Sequence, residues 1–362
     1  MTSPPPPRIL LTGATGYIGG TILTHLLNTT PSPTPSTTPI TCLVRGADRA
    51  ALLTATYGAR VAPALYRDLD DVETAAAVAA QHDLVVSATL GYHAASVQAL
   101  LRGLAWRRAA TGREVWFVHT SGTSNLADRP VSAGFVEARE FDDAEDDVYG
   151  YEEEREREWA YVQRTVELGV VDAGLALGVR TVVIMGPTVF GRGTGLFNRG
   201  SVQIPTFVRS TLERGRAVVM WEGKGVRDYV HVEDLAELYG TVVEEVLERD
   251  GRALPTGKEG IIFGGSGRFT WMEVAEGVAD ACYEEGKITD TRVESVGLTE
   301  GAKILASYLE GADEAMVEVG LSSNSRTVAS VARKLGWRPT RGEEAWKKGF
   351  RDDVKAVLGK TE

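Results

Sequence analysis

Arg8-Ile9-Leu10-Leu11-Thr12-Gly13-Ala14-Thr15-Gly16-Tyr17-Ile18-Gly19-Gly20 joins a short apolar run to a glycine-rich turn, and an apolar helical stretch, Thr21–Leu27, follows at once. Gly13 permits the tight turn, Gly16 lets the backbone approach a pyrophosphate, and Gly19 allows the helix to pack closely on the strand. The free N–H groups at the helix start then bind phosphate oxygens. Strand, turn and helix in that order point to a dinucleotide site made by Thr12, Gly13, Thr15, Gly16, Tyr17, Ile18 and Gly19.

Outward from this turn, short apolar runs alternate with longer helical stretches, the mark of βαβ units and a parallel sheet. The predicted strands are Arg8–Thr12, Ile40–Arg45, Arg60–Ala64, Leu84–Ala88, Val115–Thr120 and Val179–Met185. Leu84-Val85-Val86 and Val182-Val183-Ile184 are unbroken apolar runs, as expected of strands buried on both faces. The expected fold is α/β, a Rossmann-type doubly wound parallel sheet. Residues 8–186 would form the cofactor domain, interrupted by a Ser-, Thr- and Pro-rich loop at 28–39 and an acidic insertion at 137–158 read as a solvated excursion. Residues 187–362 would be mainly a substrate-binding region that partly returns to the sheet. Its closing helices are predicted at Trp271–Glu285, Arg326–Leu335 and Glu343–Leu358.

The charge is −11, from 39 Lys and Arg against 50 Asp and Glu. That argues against a nucleic-acid or anionic-membrane partner, since such proteins carry net or clustered basic charge. With 43% hydrophobic and 25% charged residues the composition is that of a globular protein. Cys42 and Cys282 lie far apart, so neither a disulfide framework nor a zinc site is expected. The histidines show no ligand spacing, and no metal is expected. The proline run at Met1–Arg8 does not read as a signal peptide, so the expected location is cytoplasmic, and Asn28-Thr29-Thr30 is read as a meaningless sequon.

Cofactor choice is set near the end of the second strand, where an acidic residue would bind the ribose hydroxyls of NAD. Here the strand ends in Arg45, which with Arg49 suits the 2′-phosphate of NADP. The alternative is an Arg45 that is merely solvated while Asp48 takes the ribose. NADP is therefore the expected cofactor, with NAD second.

These residues resemble the extended short-chain dehydrogenase/reductase family, which includes the NAD(P)-dependent epimerases and dehydratases, and they are similar to uncharacterised fungal members. Besides the glycine turn, the resemblance rests on Asp68-Leu69, Asp83-Leu84-Val85-Val86-Ser87-Ala88, Val118-His119-Thr120-Ser121, Gly186-Pro187-Thr188-Val189-Phe190-Gly191 and the block from Arg227 to Ala236. It implies cofactor contacts at Asp68, Leu69, Ala88 and Pro187, and a substrate pocket lined by Asn198, Gln203 and Arg227. Arg227 would either grip a substrate phosphate or form a structural ion pair with Asp228.

The family's catalytic groups are a strand-end Ser or Thr and a Tyr-x-x-x-Lys. The matching positions here are Ser121 or Thr123, and Tyr161 with Thr165 in place of the lysine. Tyr161 and Thr165, four apart, are expected on one helix face. A phenol without an ammonium beside it keeps its proton at neutral pH, so it suits donation to a carbonyl better than base chemistry. Arg164 would either approach that face or lie solvated, and Tyr149 and Tyr151 are alternative phenols. The expected function is an NADP(H)-dependent oxidoreductase or epimerase-type enzyme acting on a small carbonyl or hydroxyl compound, more in the reductive direction. The alternative is a catalytically degenerate NADP-binding regulator or redox sensor. The expected partner is a small-molecule substrate, and a homodimer is possible.

Overall fold

Seven parallel strands form the central sheet: β1 (Ile9–Thr12), β2 (Ile40–Val44), β3 (Val61–Leu65), β4 (Leu84–Ser87), β5 (Trp116–Gly122), β6 (Arg180–Gly186) and β7 (Ile261–Phe263). Their spatial order is β7-β6-β5-β4-β1-β2-β3. This computed structural model describes residues 7–28, 38–306 and 313–359. Most of the proline run, most of the 28–39 loop and the two threonines of the sequon lie outside the described residues. The strand order reverses at β1, which is flanked by β2 and β4, and the crevice beyond the carboxyl ends of β1 and β4 is where such sheets bind ligands.

All six expected strands are present with ends shifted by at most two residues; β1 and β4 are buried throughout and β6 at every residue but its two ends. The first helix, Tyr17–Asn28, begins four residues earlier than its apolar stretch, because the glycine turn itself winds into helix. Trp271–Glu284 and Glu343–Val357 fall where the helical periodicity places them. Thr270 and Glu273 close the former with a reciprocal capping box.

Two expectations are corrected. Arg326–Leu335 is not one helix: Arg326–Val328 is a strand paired with Glu140–Asp142, and only Ser330–Lys334 is helical. Asp228 accepts from the Thr327 N–H at 2.6 Å and hydroxyl at 2.7 Å, holding that strand from almost a hundred residues away. The acidic insertion is not a solvated excursion either. It carries the helix Val148–Glu158, packed on the helix Val162–Leu177, with Tyr149, Tyr151, Glu152 and Arg155 buried.

One buried apolar cluster surrounds the sheet and also takes in Val331, Ala332 and Trp337 from near the end of the chain. A second gathers Phe190, Phe207, Phe269, Trp271, Trp346 and Phe350. At its centre Trp346 stacks on Tyr229, with ring centroids 4.6 Å apart, and meets Phe190 edge-on at 5.0 Å. Aromatic pairs of this kind contribute about 0.5–1.5 kcal/mol each beyond the area that they bury. Among the described residues no helix is long and apolar enough to cross a membrane.

Candidate active site

At the carboxyl end of β1, Gly13 has φ +76°, and a Cβ there would lie 2.1 Å from the Ala88 carbonyl oxygen. A Cβ on Gly19 would lie 2.2 Å from the Gly13 oxygen. Both contacts are with backbone that cannot give way, so strand, turn and helix can approach this closely only with glycine. Gly16 differs: a Cβ there meets nothing nearer than 3.2 Å, so its missing side chain leaves room for a ligand. The first-turn N–H groups of Tyr17–Asn28 open onto that room. Beside it the Thr12 and Ser87 hydroxyls, paired across β1 and β4, are buried without partners. This donor-rich cradle fits a dinucleotide pyrophosphate.

The segment after Gly191 folds over the turn. The Tyr17 hydroxyl donates to the Gly191 carbonyl at 2.6 Å, the Thr194 N–H to Thr21 Oγ1 at 3.3 Å and the Asn198 N–H to the Thr15 carbonyl at 3.5 Å. Asn198 thus sits at the phosphate turn, apart from Gln203 and Arg227. Ile18 packs against the core, and Pro187 is buried between β6 and the strand Thr188–Phe190.

Arg45 is exposed at the end of β2, next to the helix Ala47–Tyr57 that holds Asp48, and none of the described residues pairs with it as an ion. The Tyr66 N–H bonds to the Val44 carbonyl, bringing the segment with Asp68 and Leu69 to the same edge. Asp68 accepts from Arg67 Nε at 3.0 Å, which holds its carboxyl below the usual range.

Tyr161 is the N-cap of the helix Val162–Leu177 and has extended backbone, φ −120° and ψ 117°. Its hydroxyl donates to Ser124 Oγ at 3.3 Å, and Ser124 donates to Gln163 Oε1 at 2.6 Å. The Gln163 amide lies across two glycines at the strand ends, 3.1 Å from a Cβ built on Gly122 and 3.5 Å from one built on Gly91. Burial raises the pKa of the Tyr92 phenol, and the Tyr161 phenol nearby adds to the shift. Tyr161, Ser124 and Gln163 therefore meet beyond the ends of β4 and β5, where Gln163 reaches Gly91, three residues after Ala88.

The structure does not bring the expected hydroxyls here. Thr165 is exposed and donates to Glu156 and to the Tyr161 carbonyl. As N-cap, Tyr161 lies outside the helix proper, so i, i+4 spacing does not align its side chain with Thr165. Ser121 faces the other side of β5, where Asn125 Nδ2 donates both to its Oγ at 3.2 Å and to Glu167 Oε2 at 2.6 Å. Thr123 is fully buried and accepts from Arg227 Nη2 at 3.4 Å.

Arg227 forms no ion pair with Asp228. It donates to the Val319 carbonyl at 2.7 Å and to Ser323 Oγ at 3.2 Å, while Asp228 pairs with Arg268 at 2.8 Å. Gln203 donates to the neighbouring Gly320 carbonyl at 2.8 Å. Arg164 is not solvated: it is buried, paired with Glu156 at 2.9 Å, and donates to the Asn125 and Trp159 carbonyls. Tyr149 donates to Asp172 at 2.6 Å and Tyr151 to Glu137 at 3.0 Å, so both alternative phenols are engaged with carboxylates.

Ser124, Gln163 and Tyr92 were not singled out in the sequence. Gln163 carries only the weak signal of following Tyr161 by two residues, and Tyr92 only that of following the fourth strand. Beneath the site, Glu152 and Glu167 are both fully buried. Burial and mutual repulsion raise Glu152 well above the usual range, and burial pushes Glu167 up to about 7.

The model of the NAD dependent epimerase/dehydratase family matches residues 9–254. The oxidase ucsJ of Acremonium sp is 29% identical over 343 residues, covering 92% of each chain. Among solved structures, a double mutant of DesIV, a dTDP-glucose 4,6-dehydratase from Streptomyces venezuelae with NAD and DAU bound, superimposes with a TM-score of 0.61 at 17% identity, covering 96% of both chains. UDP-glucose 4-epimerase from Thermus thermophilus, in complex with NAD, does so with a TM-score of 0.56 at 19% identity, covering 98% of this chain and all of its own. At such identities the two structures share the fold.

Proposed function

Because the chain belongs to the NAD dependent epimerase/dehydratase family, we propose that it is an NADP(H)-dependent oxidoreductase that reduces a small carbonyl compound, with Tyr161 as the proton donor. The observation that carries this reading is the Tyr161–Ser124–Gln163 chain of hydrogen bonds at the strand ends beside the glycine turn. When bound, the nicotinamide supplies hydride chemistry. The glycine turn would hold the pyrophosphate, Gln163 would contact the cofactor, and Ser124 would orient the carbonyl whose oxygen takes the Tyr161 proton. Trp159, Val319 and Ala127 pack against Tyr161 and keep water from that side. Arg227 and Gln203 are committed to the 319–323 segment, so they shape the pocket, and the substrate needs no phosphate. In this reading residues 8–186 supply the cofactor half and the later chain supplies most of the substrate pocket.

A carbonyl panel followed by NADPH absorbance tests the proposal. Tyr161→Phe is expected to lower reduction by roughly 10²–10⁴-fold, the loss typical of a positioned general acid, with little change in substrate binding. Full activity in that variant would remove Tyr161 as donor. The exposed Arg45 carries the cofactor preference: NADPH should bind several-fold tighter than NADH, and Arg45→Asp should reverse the order, since a charged hydrogen bond contributes about 1.5–3 kcal/mol. Equal affinities in both proteins would refute it. The second reading, a redox sensor without turnover, draws on the neutral Gln163 where an ammonium would sharpen catalysis. Tight NADP(H) binding with no turnover of any panel member would favour it.

A further inference from the structure

We propose that the open cavity lined by Arg129, Val131, Leu298, Glu300, Glu314 and Ala315 binds a monocarboxylic acid with an apolar body, and that Arg129 receives its carboxylate. The cavity has a volume of about 700 Å³, within the range of small-molecule sites. Three guanidiniums gather around Trp159 and Phe135: Arg129 lies 4.0 Å and Arg164 6.0 Å from the Trp159 ring centroid, and Arg155 lies 4.1 Å from that of Phe135. Arg155 is paired with Glu158 at 2.6 Å and Arg164 with Glu156 at 2.9 Å. Arg129 alone of the three has no carboxylate or other hydrogen-bond acceptor among the described residues, and its Nε is buried without a partner.

Stacking on Trp159 fixes the plane of that guanidinium but leaves its N–H donors unused. Its backbone is fixed too, since the Arg129 carbonyl accepts from the Ala133 and Phe135 N–H groups at 3.1 and 3.3 Å. Glu318 attracts it, but the Glu318 oxygens accept from the Val131 and Ser132 N–H groups at 2.7–3.3 Å. Burial, with Arg155 and Arg164 nearby, disfavours the charged form of Arg129, so a carboxylate brought from outside relieves both costs. Val131, Leu298 and Ala315 give a hydrocarbon body apolar surface to cover. Glu300 and Glu314 restrict the charge: they repel a second negative group, which selects a monocarboxylate over phosphate or a dicarboxylate.

Calorimetric titration of the full chain with hexanoate, hexanol, adipate and inorganic phosphate tests the site. It needs neither cofactor nor turnover, so its outcome stands whether or not Tyr161 reduces a carbonyl. Hexanoate should bind tightest of the four. Arg129→Met, which keeps an apolar stem on Trp159, should weaken hexanoate about tenfold or more and leave hexanol unchanged, because only the charge-assisted pair is lost. Arg129→Lys keeps the charge and should retain part of the affinity, which separates loss of the pair from damage to the fold. Glu300→Gln should narrow the gap between hexanoate and adipate. Equal hexanoate affinity in wild type and Arg129→Met would overturn the proposal, as would hexanol binding as tightly as hexanoate, or phosphate or adipate binding more tightly. No hexanoate binding at roughly 10 mM, where even a millimolar site would be largely filled, overturns it as well.

Discussion

At the scale of single residues, the three glycines of the turn have separable duties. A Cβ on Gly13 or Gly19 would meet backbone at 2.1 or 2.2 Å, whereas one on Gly16 would meet only the Gly13 carbonyl oxygen, at 3.2 Å. Gly16→Val is therefore expected to leave the protein folded and abolish dinucleotide binding, because the side chain would fill the pyrophosphate's place. Calorimetric titration with NADP(H) and a thermal melt of the same sample check both halves, and retained binding would misplace the cofactor. The same scale shows why Thr165 was the wrong partner for Tyr161. Identity and spacing put it four residues away, but the helix begins one residue after Tyr161, and the phenol leaves its extended backbone toward Ser124 instead.

The element scale is where the acidic insertion changes meaning. The helix Val148–Glu158 looks solvent-bound by composition, yet it buries Glu152 against Glu167 of the next helix. Both carboxyls have raised pKa values in the folded protein. Between the unfolded glutamate value near about 4.3 and these higher values, the folded state binds more protons than the unfolded one, so stability falls as pH rises through that window. Glu152→Gln removes one titrating group and the repulsion. Its melting temperature should gain on wild type as pH rises above about 5. Parallel pH dependence in the two proteins would show that the pair does not share a buried proton. The Arg326–Leu335 misreading also belongs here: a three-residue strand is defined by its partner, and Glu140–Asp142 lies far away in sequence.

On the scale of the whole molecule, Arg227 ties the Thr123 turn after β5 to the Val319–Ser323 segment. Arg227→Ala would remove the guanidinium's hydrogen bonds to the Val319 carbonyl and Ser323 Oγ and the stem's packing, leaving the Ser323 hydroxyl as donor to Val319. A loss of about 1.5–3 kcal/mol is expected, the contribution of hydrogen bonds to a charged group. Urea unfolding measures it, and an unchanged midpoint would mean that the segment is held without Arg227.

The parallel sheet and the phosphate turn were legible in Ile9–Gly20, Leu84–Ser87 and Val182–Ile184, because apolar runs and glycine spacing act over a few residues of chain. The family motif's distance to the sixth strand also singled out Tyr161 as the candidate donor. What surrounds Tyr161 was decided only in three dimensions. Ser124 and Gln163 come from two segments brought together at the strand ends, while Ser121, Thr165 and Arg227 turn to other partners. The physical reason is that a buried polar group must find a hydrogen-bonding partner wherever the packed fold offers one. Glu167, Glu156 and Val319 are offered by tertiary packing, which the local sequence pattern does not encode.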